Sequence, residues 1–150
     1  MKKIIISLGL IIIGAAVCTS CNKSDDATAD DTTLLMNKNW KVTGCVVSPA
    51  VNGNTDMYAM APACSKDDTY RFNANNVHVF DEGATKCFAS DPQTISGTWN
   101  YNNITKKLWF HSQSTADITV TELTATTLKG TAKDTSMGVI YTYTVTLNAP

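Results

Sequence analysis

The chain has 150 residues, a formal net charge of −1 and five cysteines, with 43% hydrophobic and 17% charged side chains. That composition fits one ordinary globular domain and excludes a collagen-like repeat, a long disordered tail system or a basic nucleic-acid binder. The total conceals a division: without the first twenty residues, which hold Lys2 and Lys3, 10 basic side chains face 13 acidic ones, a net of −3.

Met1-Lys2-Lys3 is a short positive stretch, and Ile4 to Val17 is an apolar run broken only by Ser7 and two glycines. A permanent membrane span needs roughly 20 apolar residues, so this run reads as an export signal over residues 1–20. It ends in Val17-Cys18-Thr19-Ser20-Cys21, where two small residues precede a cysteine. This resembles the lipobox of bacterial lipoproteins, in which the cysteine becomes the first mature residue and carries the lipid. The resemblance implies lipidation of Cys21, with Cys18 removed with the signal. A plain secretory signal cleaved after Ser20 is the other reading. A multiply acylated terminus holds a protein stably to a membrane surface without spanning it.

Residues 21–31 are small and polar, with four aspartates, and cannot bury apolar surface, so they read as a flexible acidic tether. Lys23-Ser24-Asp25-Asp26 resembles the tetrad that sends lipoproteins of Bacteroides-type bacteria to the outer face of the outer membrane. Asp31-Thr32-Thr33 resembles the O-glycosylation acceptor of the same bacteria. From Thr32 onward nine basic and nine acidic residues balance, which leaves a neutral domain over residues 32–150.

Thr32 to Lys38 reads as a short helix or turn capped by Thr32 or Thr33, with Leu34, Leu35 and Met36 on its apolar side. After Trp40 the chain turns to threonine, valine and aromatic residues, which favour pleated backbone. Eight strands are predicted, at about 39–48, 68–74, 76–82, 95–102, 106–113, 116–123, 127–134 and 138–148. In the last, Val139, Tyr141, Tyr143, Val145 and Leu147 share one face and Thr142, Thr144 and Thr146 the other. Asn75-Asn76 and Asn102-Asn103 can take left-handed backbone, so each is a candidate hairpin turn. Tight turns force antiparallel pairing, because a parallel crossover needs a dozen or more residues. Such a meander best removes its edges by closing into an all-β, up-and-down antiparallel barrel with a short N-terminal helix. An open curved sheet or a sandwich would satisfy the same faces. Pro49 to Lys66 is a long insertion in which Asp56 to Met60 reads as one helical turn, and a loop of that length is usually functional or tied down.

Several blocks carry a resemblance beyond architecture. Trp40 with the preceding helix, Asp56-Met57-Tyr58, Pro62-Ala63-Cys64-Ser65-Lys66-Asp67-Asp68 and Asp81-Glu82-Gly83-Ala84-Thr85-Lys86-Cys87 are the first of them. Asp91-Pro92-Gln93, Gly97-Thr98-Trp99, Glu122-Leu123-Thr124 and Tyr141-Thr142-Tyr143 extend the pattern over roughly 34 to 148. Together they resemble the small lipocalin-like lipoproteins of Bacteroides-type bacteria. The resemblance implies a lipocalin-like barrel and no catalytic residues. Beyond Cys21 the mature chain holds Cys45, Cys64 and Cys87, which permit one internal bond. Cys64 and Cys87 belong to the family blocks and flank the hairpin of the second and third strands, so they are the expected pair. Cys45, on a strand, then reads as a small buried hydrophobe.

His78 and His111 lack metal-ligand spacing and read as structural or surface residues. Asp67, Asp68, Asp81, Glu82 and Asp91 lie among Lys66, Arg71 and Lys86, without the spacing of a calcium loop, and read as a salt-bridged loop cluster. Asp81 and Glu82 are adjacent on a strand and point to opposite faces, which argues against a paired acid and base. No nucleophile elbow, phosphate loop or dinucleotide fingerprint occurs, so no catalytic residues, metal or cofactor are expected, and the protein reads as a non-enzyme. A neutral domain on an acidic tether gives no footprint for nucleic acid.

The expected function is a monomeric outer-membrane or cell-surface lipoprotein whose barrel binds a small apolar or amphipathic ligand. Trp99, Tyr101, Phe110, Tyr141 and Tyr143 are the candidate ligand-lining residues, although in a domain this small filling the barrel is the default use of aromatic rings, because an open cavity forfeits packing contacts. The alternative is a protein-interaction or inhibitor module that displays the disulfide-tied loop through Met57, Tyr58 and Met60.

Overall fold

The computed structural model of the protein describes residues 30–112 and 114–150. The predicted export signal, Cys21, most of the predicted tether and the final residue of the predicted fifth strand, Gln113, lie outside the described residues. A short helix, α1 (Asp31–Leu35), leads into strand β1 (Trp40–Val51), then β2 (Asn54–Asp56) and a one-turn helix α2 (Met57–Met60). A 3-10 turn at Ala63–Lys66 follows, and the remaining strands are β3 (Thr69–Asn73), β4 (Val77–Asp81), β5 (Thr94–Asn102), β6 (Lys107–His111), β7 (Thr115–Leu123), β8 (Thr127–Ser136) and β9 (Val139–Asn148). Every strand pairing is antiparallel, β3 to β9 run in sequence order, and β1 lies between β3 and β9. Eight strands thus close into an up-and-down barrel, and the open-sheet and sandwich readings fall away.

The ninth strand was not foreseen. β1 continues three residues past its expected end, turns at Asn52 (φ 50°) and Gly53 (φ 80°), and returns as β2 through Val51↔Asn54 and Val46↔Asp56. Two successive residues at positive φ make the tight hairpin turn whose twist matches the flanking strands. The Asn75-Asn76 turn has φ of 59° and 60°, as its sequence implied. The expectation at Asn102-Asn103 needs correction: the left-handed residue is Lys106 (φ 55°). The Asn102 carboxamide instead accepts from the amides of Ile104 and Thr105 at 3.0 and 2.9 Å, so an Asx turn carries the chain round a longer loop.

The barrel has two unlike ends. At the end where β1 begins and β9 finishes, α1 seats Leu35 among Trp40, Phe72, Leu108, Leu128 and Leu147. The helix is fixed there by the Trp40 indole, which donates to the Leu35 carbonyl at 2.8 Å, and by Asp31, which accepts from the Tyr101 hydroxyl and the Lys106 ammonium, both at 2.7 Å. Those two donors, Lys106 first, hold the Asp31 carboxyl below its usual range. The helix therefore starts at Asp31, one residue before the expected cap, and Asp30 makes no side-chain cap. Inside this end a β-carbon on Gly130 would lie 2.4 Å from Ile118 Cγ2, so the absent side chain is what lets Ile118 fill the centre.

At the opposite end the strands part. β1 pairs with β3 only through Trp40↔Tyr70 and Lys41↔Thr69, and beyond that point α2 and the 3-10 turn stand in the gap. The Cys64–Cys87 disulfide ties this insertion to the loop after β4, as the family blocks implied. Its cysteines are 23 residues apart, and closing a loop of that length stabilises by about 3 kcal/mol on the chain-entropy model. Replacing both by serine should lower the urea midpoint by the corresponding amount, and an unchanged midpoint would contradict this.

Candidate functional site

A half-open pocket lies at the parted end. A cavity of about 250 Å³ lies between Val42 and Cys45 of β1, Met57, Tyr58 and Ala61 in and after α2, and Asp68 and Tyr70 at the start of β3. Strand alternation explains the inward row. Tyr70 and Phe72 face the barrel axis opposite Phe80 and His78, Asp68, just before β3, is a wall of the pocket, and Glu82, just after β4, is buried but is not among its walls. A bulge between Val42 and Gly44 resets the alternation of β1 and brings Cys45 to the inner side opposite Val145. Cys45 is only half-buried, and burial, followed by the charge of Asp56, pushes its thiol pKa up.

Beneath the cavity is an aromatic floor. The rings of Tyr70 and His78 stack at 6.0 Å, and Phe110 lies 5.8 Å from Tyr70 and 4.9 Å from His78. His78 is fully buried, and neither ring nitrogen has a protein hydrogen-bond partner. Burial accordingly lowers its pKa to about 4, so the imidazole is neutral at physiological pH. His111 instead lies at the surface with Nδ1 2.9 Å from Thr115 Oγ1.

The acidic residues at the mouth are not salt-bridged, which corrects the sequence reading. Among the described residues the ion pairs are Lys106–Asp31 and Lys107–Asp117, both elsewhere. Backbone amides do the work expected of lysines: Asp67 accepts from Ala84 and Thr85 at 2.9 Å, and Asp81 accepts from Gly83 at 2.9 Å and from the Gln93 amide at 2.8 Å. The loop can fold this tightly because residue 83 is glycine; its φ is +65°, and a β-carbon would stand 2.5 Å from the Asp67 carbonyl oxygen. Lys86 donates to the carbonyls of Ala89 and Asp91, and Lys66 lies over the Tyr58 ring at 5.1 Å. Asp68 is left with its pKa raised to about 6, by burial first and then by Glu82, Asp67 and Asp81. Glu82 is 5% exposed and its Oε2 has no partner.

The structure separates the predicted site residues. Trp99 and Phe110 belong to the packed core, and Trp99 donates from its indole to the Asn73 carbonyl at 2.8 Å. Tyr101 is at the α1 end, where burial and its bond to Asp31 push the phenol pKa up. None of these three lines the hollow, which corrects that expectation; with Trp99, Tyr101 borders a separate surface recess of about 170 Å³. Tyr141 and Tyr143 face inward on the mouth half of β9, half-buried, but are not among the cavity walls. Met57 and Tyr58, expected as displayed loop residues, are cavity walls, whereas Met60 is 61% exposed. A larger groove of about 340 Å³, bordered by Lys107, Asp117 and Lys133, lies on the outer face of the sheet and is walled by exposed or half-buried polar side chains. Among the described residues no three His, Cys, Asp or Glu side chains are placed to hold a metal ion.

A closed antiparallel barrel with a half-open, mainly apolar pocket at one end has the architecture of a ligand-binding module. The chain belongs to the lipocalin-like domain family, whose model matches residues 36–130, from the end of α1 to the middle of β8. That fold is typically a non-enzymatic binding fold. No curated protein matches the chain.

Proposed function

We propose that the protein is a lipid-anchored lipoprotein of the outer membrane, exposed at the cell surface, whose barrel takes up a small apolar or amphipathic molecule. The observation that carries the binding reading is the hollow of about 250 Å³ walled by Val42, Met57, Tyr58, Ala61 and Tyr70. That volume is just below the ~300–1,000 Å³ of drug-sized pockets, so the ligand is small. Anchoring at Cys21 rests on the Val17 to Cys21 pattern. The described chain begins at α1, on the packed end, and a mouth facing away from the membrane is part of this proposal.

Cys45 supplies the test. Its thiol lines the cavity, so alkylation at neutral pH should be slow and should slow further when a library of small amphiphiles includes a true ligand, which should also raise the melting temperature. Val42→Trp, which fills the hollow, should abolish both effects. If no compound protects Cys45 or shifts melting, the binding reading fails. Anchoring is tested separately: an alkyne fatty acid fed to cells should label the wild type and not Cys21→Ala.

A second reading, a module that grips another protein, draws on Met60 and Phe88, which are 61% and 68% exposed, Phe88 lying next to the disulfide. Capture of a partner that survives Met60→Glu combined with Phe88→Glu would count against it.

A further inference from the structure

We propose that the outer face of the sheet carries a second binding site, for an acidic sugar chain, built on the groove between β7 and β8 and on Trp109 beside it. Leu108, Phe110, Ile118 and Val120 belong to the core, so strand alternation turns Lys107, Trp109, Asp117 and Thr119 outward. The ladder between β7 and β8 ends at Thr119↔Thr131, although β7 begins at Thr115 and β8 runs on to Ser136. Past that pair the two strands are not joined to each other. The groove of about 340 Å³ lies at this fork, with Thr119 and Thr131 at its base, Asp117 on one arm, Lys133 on the other and Lys107 alongside.

Each of these walls is polar: two ammonium groups, one carboxylate and two hydroxyls. A hydrocarbon would strip water from them and return no hydrogen bond, whereas sugar hydroxyls both donate and accept. Charge selects the kind of sugar. Lys107 is paired with Asp117 at 3.3 Å, and among the described residues Lys133 has no ion pair, so the groove keeps one uncompensated positive charge. The carboxylate of a uronate unit supplies the missing partner. Trp109 is not a wall of the groove but adjoins it as the cross-strand partner of Asp117; it is 39% exposed, with the His111 ring stacked beside it at 6.4 Å. An indole held in water on a polar face offers its electron-rich ring to the C–H groups of the next pyranose along the chain.

The test follows quenching of tryptophan fluorescence by acrylamide. Trp40 and Trp99 are buried, so the accessible signal is that of Trp109. Among tetrasaccharides of galacturonate, mannuronate and hyaluronan, at least one should shield Trp109 with a Kd of about 1 mM or lower. Its neutral methyl ester should bind about fivefold more weakly, and Lys133→Ala, at an exposed position, should remove that difference. By calorimetry Trp109→Ala should weaken the acid form at least about tenfold. Polyglutamate, which carries the charge without the sugar rings, should not shield Trp109. Val42→Trp, which fills the mouth pocket, should leave sugar binding unchanged, so the two sites can fail separately. Absence of binding by all three sugars, equal binding of acid and ester, equal shielding by polyglutamate, or binding that survives Trp109→Ala overturns the proposal.

Discussion

Phe72→Ala is expected to cost about 3–5 kcal/mol of stability, the range for truncating a fully buried aromatic side chain. Phe72 is 0% exposed, and its ring lies 5.3 Å from Trp99, 5.3 Å from His78 and 5.5 Å from Phe110. Its backbone also receives α1, since the Asn37 amide donates to the Phe72 carbonyl at 2.9 Å and Met36 bridges to it. Removing the ring would leave a void that rigid neighbours on three different strands cannot collapse into. Met57→Ala, at the half-buried cavity wall, should cost less than half as much because the space beside it is already open. Urea titration of both variants checks the contrast. Equal losses would mean that the two ends of the barrel are packed alike.

His78→Leu is expected to stabilise the protein, and to do so increasingly as pH falls. At neutral pH the gain comes from removing two buried ring nitrogens that have no protein partner, about 1 kcal/mol after allowing for repacking. The folded-state pKa of about 4 lies below the ordinary 6.5, so the unfolded chain binds the proton first. The wild type therefore holds its full stability above pH 6.5 and loses it as pH falls from there through about 4, whereas the leucine variant has nothing to lose. That adds about 3 kcal/mol to the difference near pH 4, for a total of about 4. Asp68 works in the opposite sense: its raised pKa means that the folded state takes up the proton first, so its contribution improves as pH falls through about 6. The two nearly opposed titrations flatten the wild-type profile, and the comparison with His78→Leu is what separates them. Parallel curves for variant and wild type from pH 7 to pH 4 would refute the assignment.

Much of the barrel was readable because it rests on local chemistry. The alternation of Val145 and Leu147 with Thr144 and Thr146 placed β9, and the Asn75-Asn76 pair placed a hairpin turn. Asn52-Gly53 carries the same signal more strongly and marks β2, yet it sits in a segment read as an insertion because Pro49 and the polar residues around it mask the short return strand. Alternation identifies which residues point inward but carries no information on depth along the axis. Trp99 and Tyr143 were therefore equally good candidates for a cavity wall, and only the register between strands sends Trp99 to the packed end. Cys45 depended on a bulge at Thr43, which shifts the face of every later residue in β1 and has no marker in the residues themselves. The acidic cluster misled for a different reason: charge proximity in sequence does not reveal that backbone amides of a glycine-hinged loop satisfy Asp67 and Asp81 before any lysine can.

The pairing of β1 with β9 joins Lys41 to Asn148, so the barrel's closing seam unites nearly the first and nearly the last described residues. The β3–β4 hairpin and the Cys64–Cys87 bond can form early, since both are local. Closure waits for the final strand. Until then β1 presents a bare edge, and sequence separations this long make ring formation the slow event of folding. Until that seam forms the sheet is an open trough, and the barrel that frames the pocket is complete only when the last strand has docked.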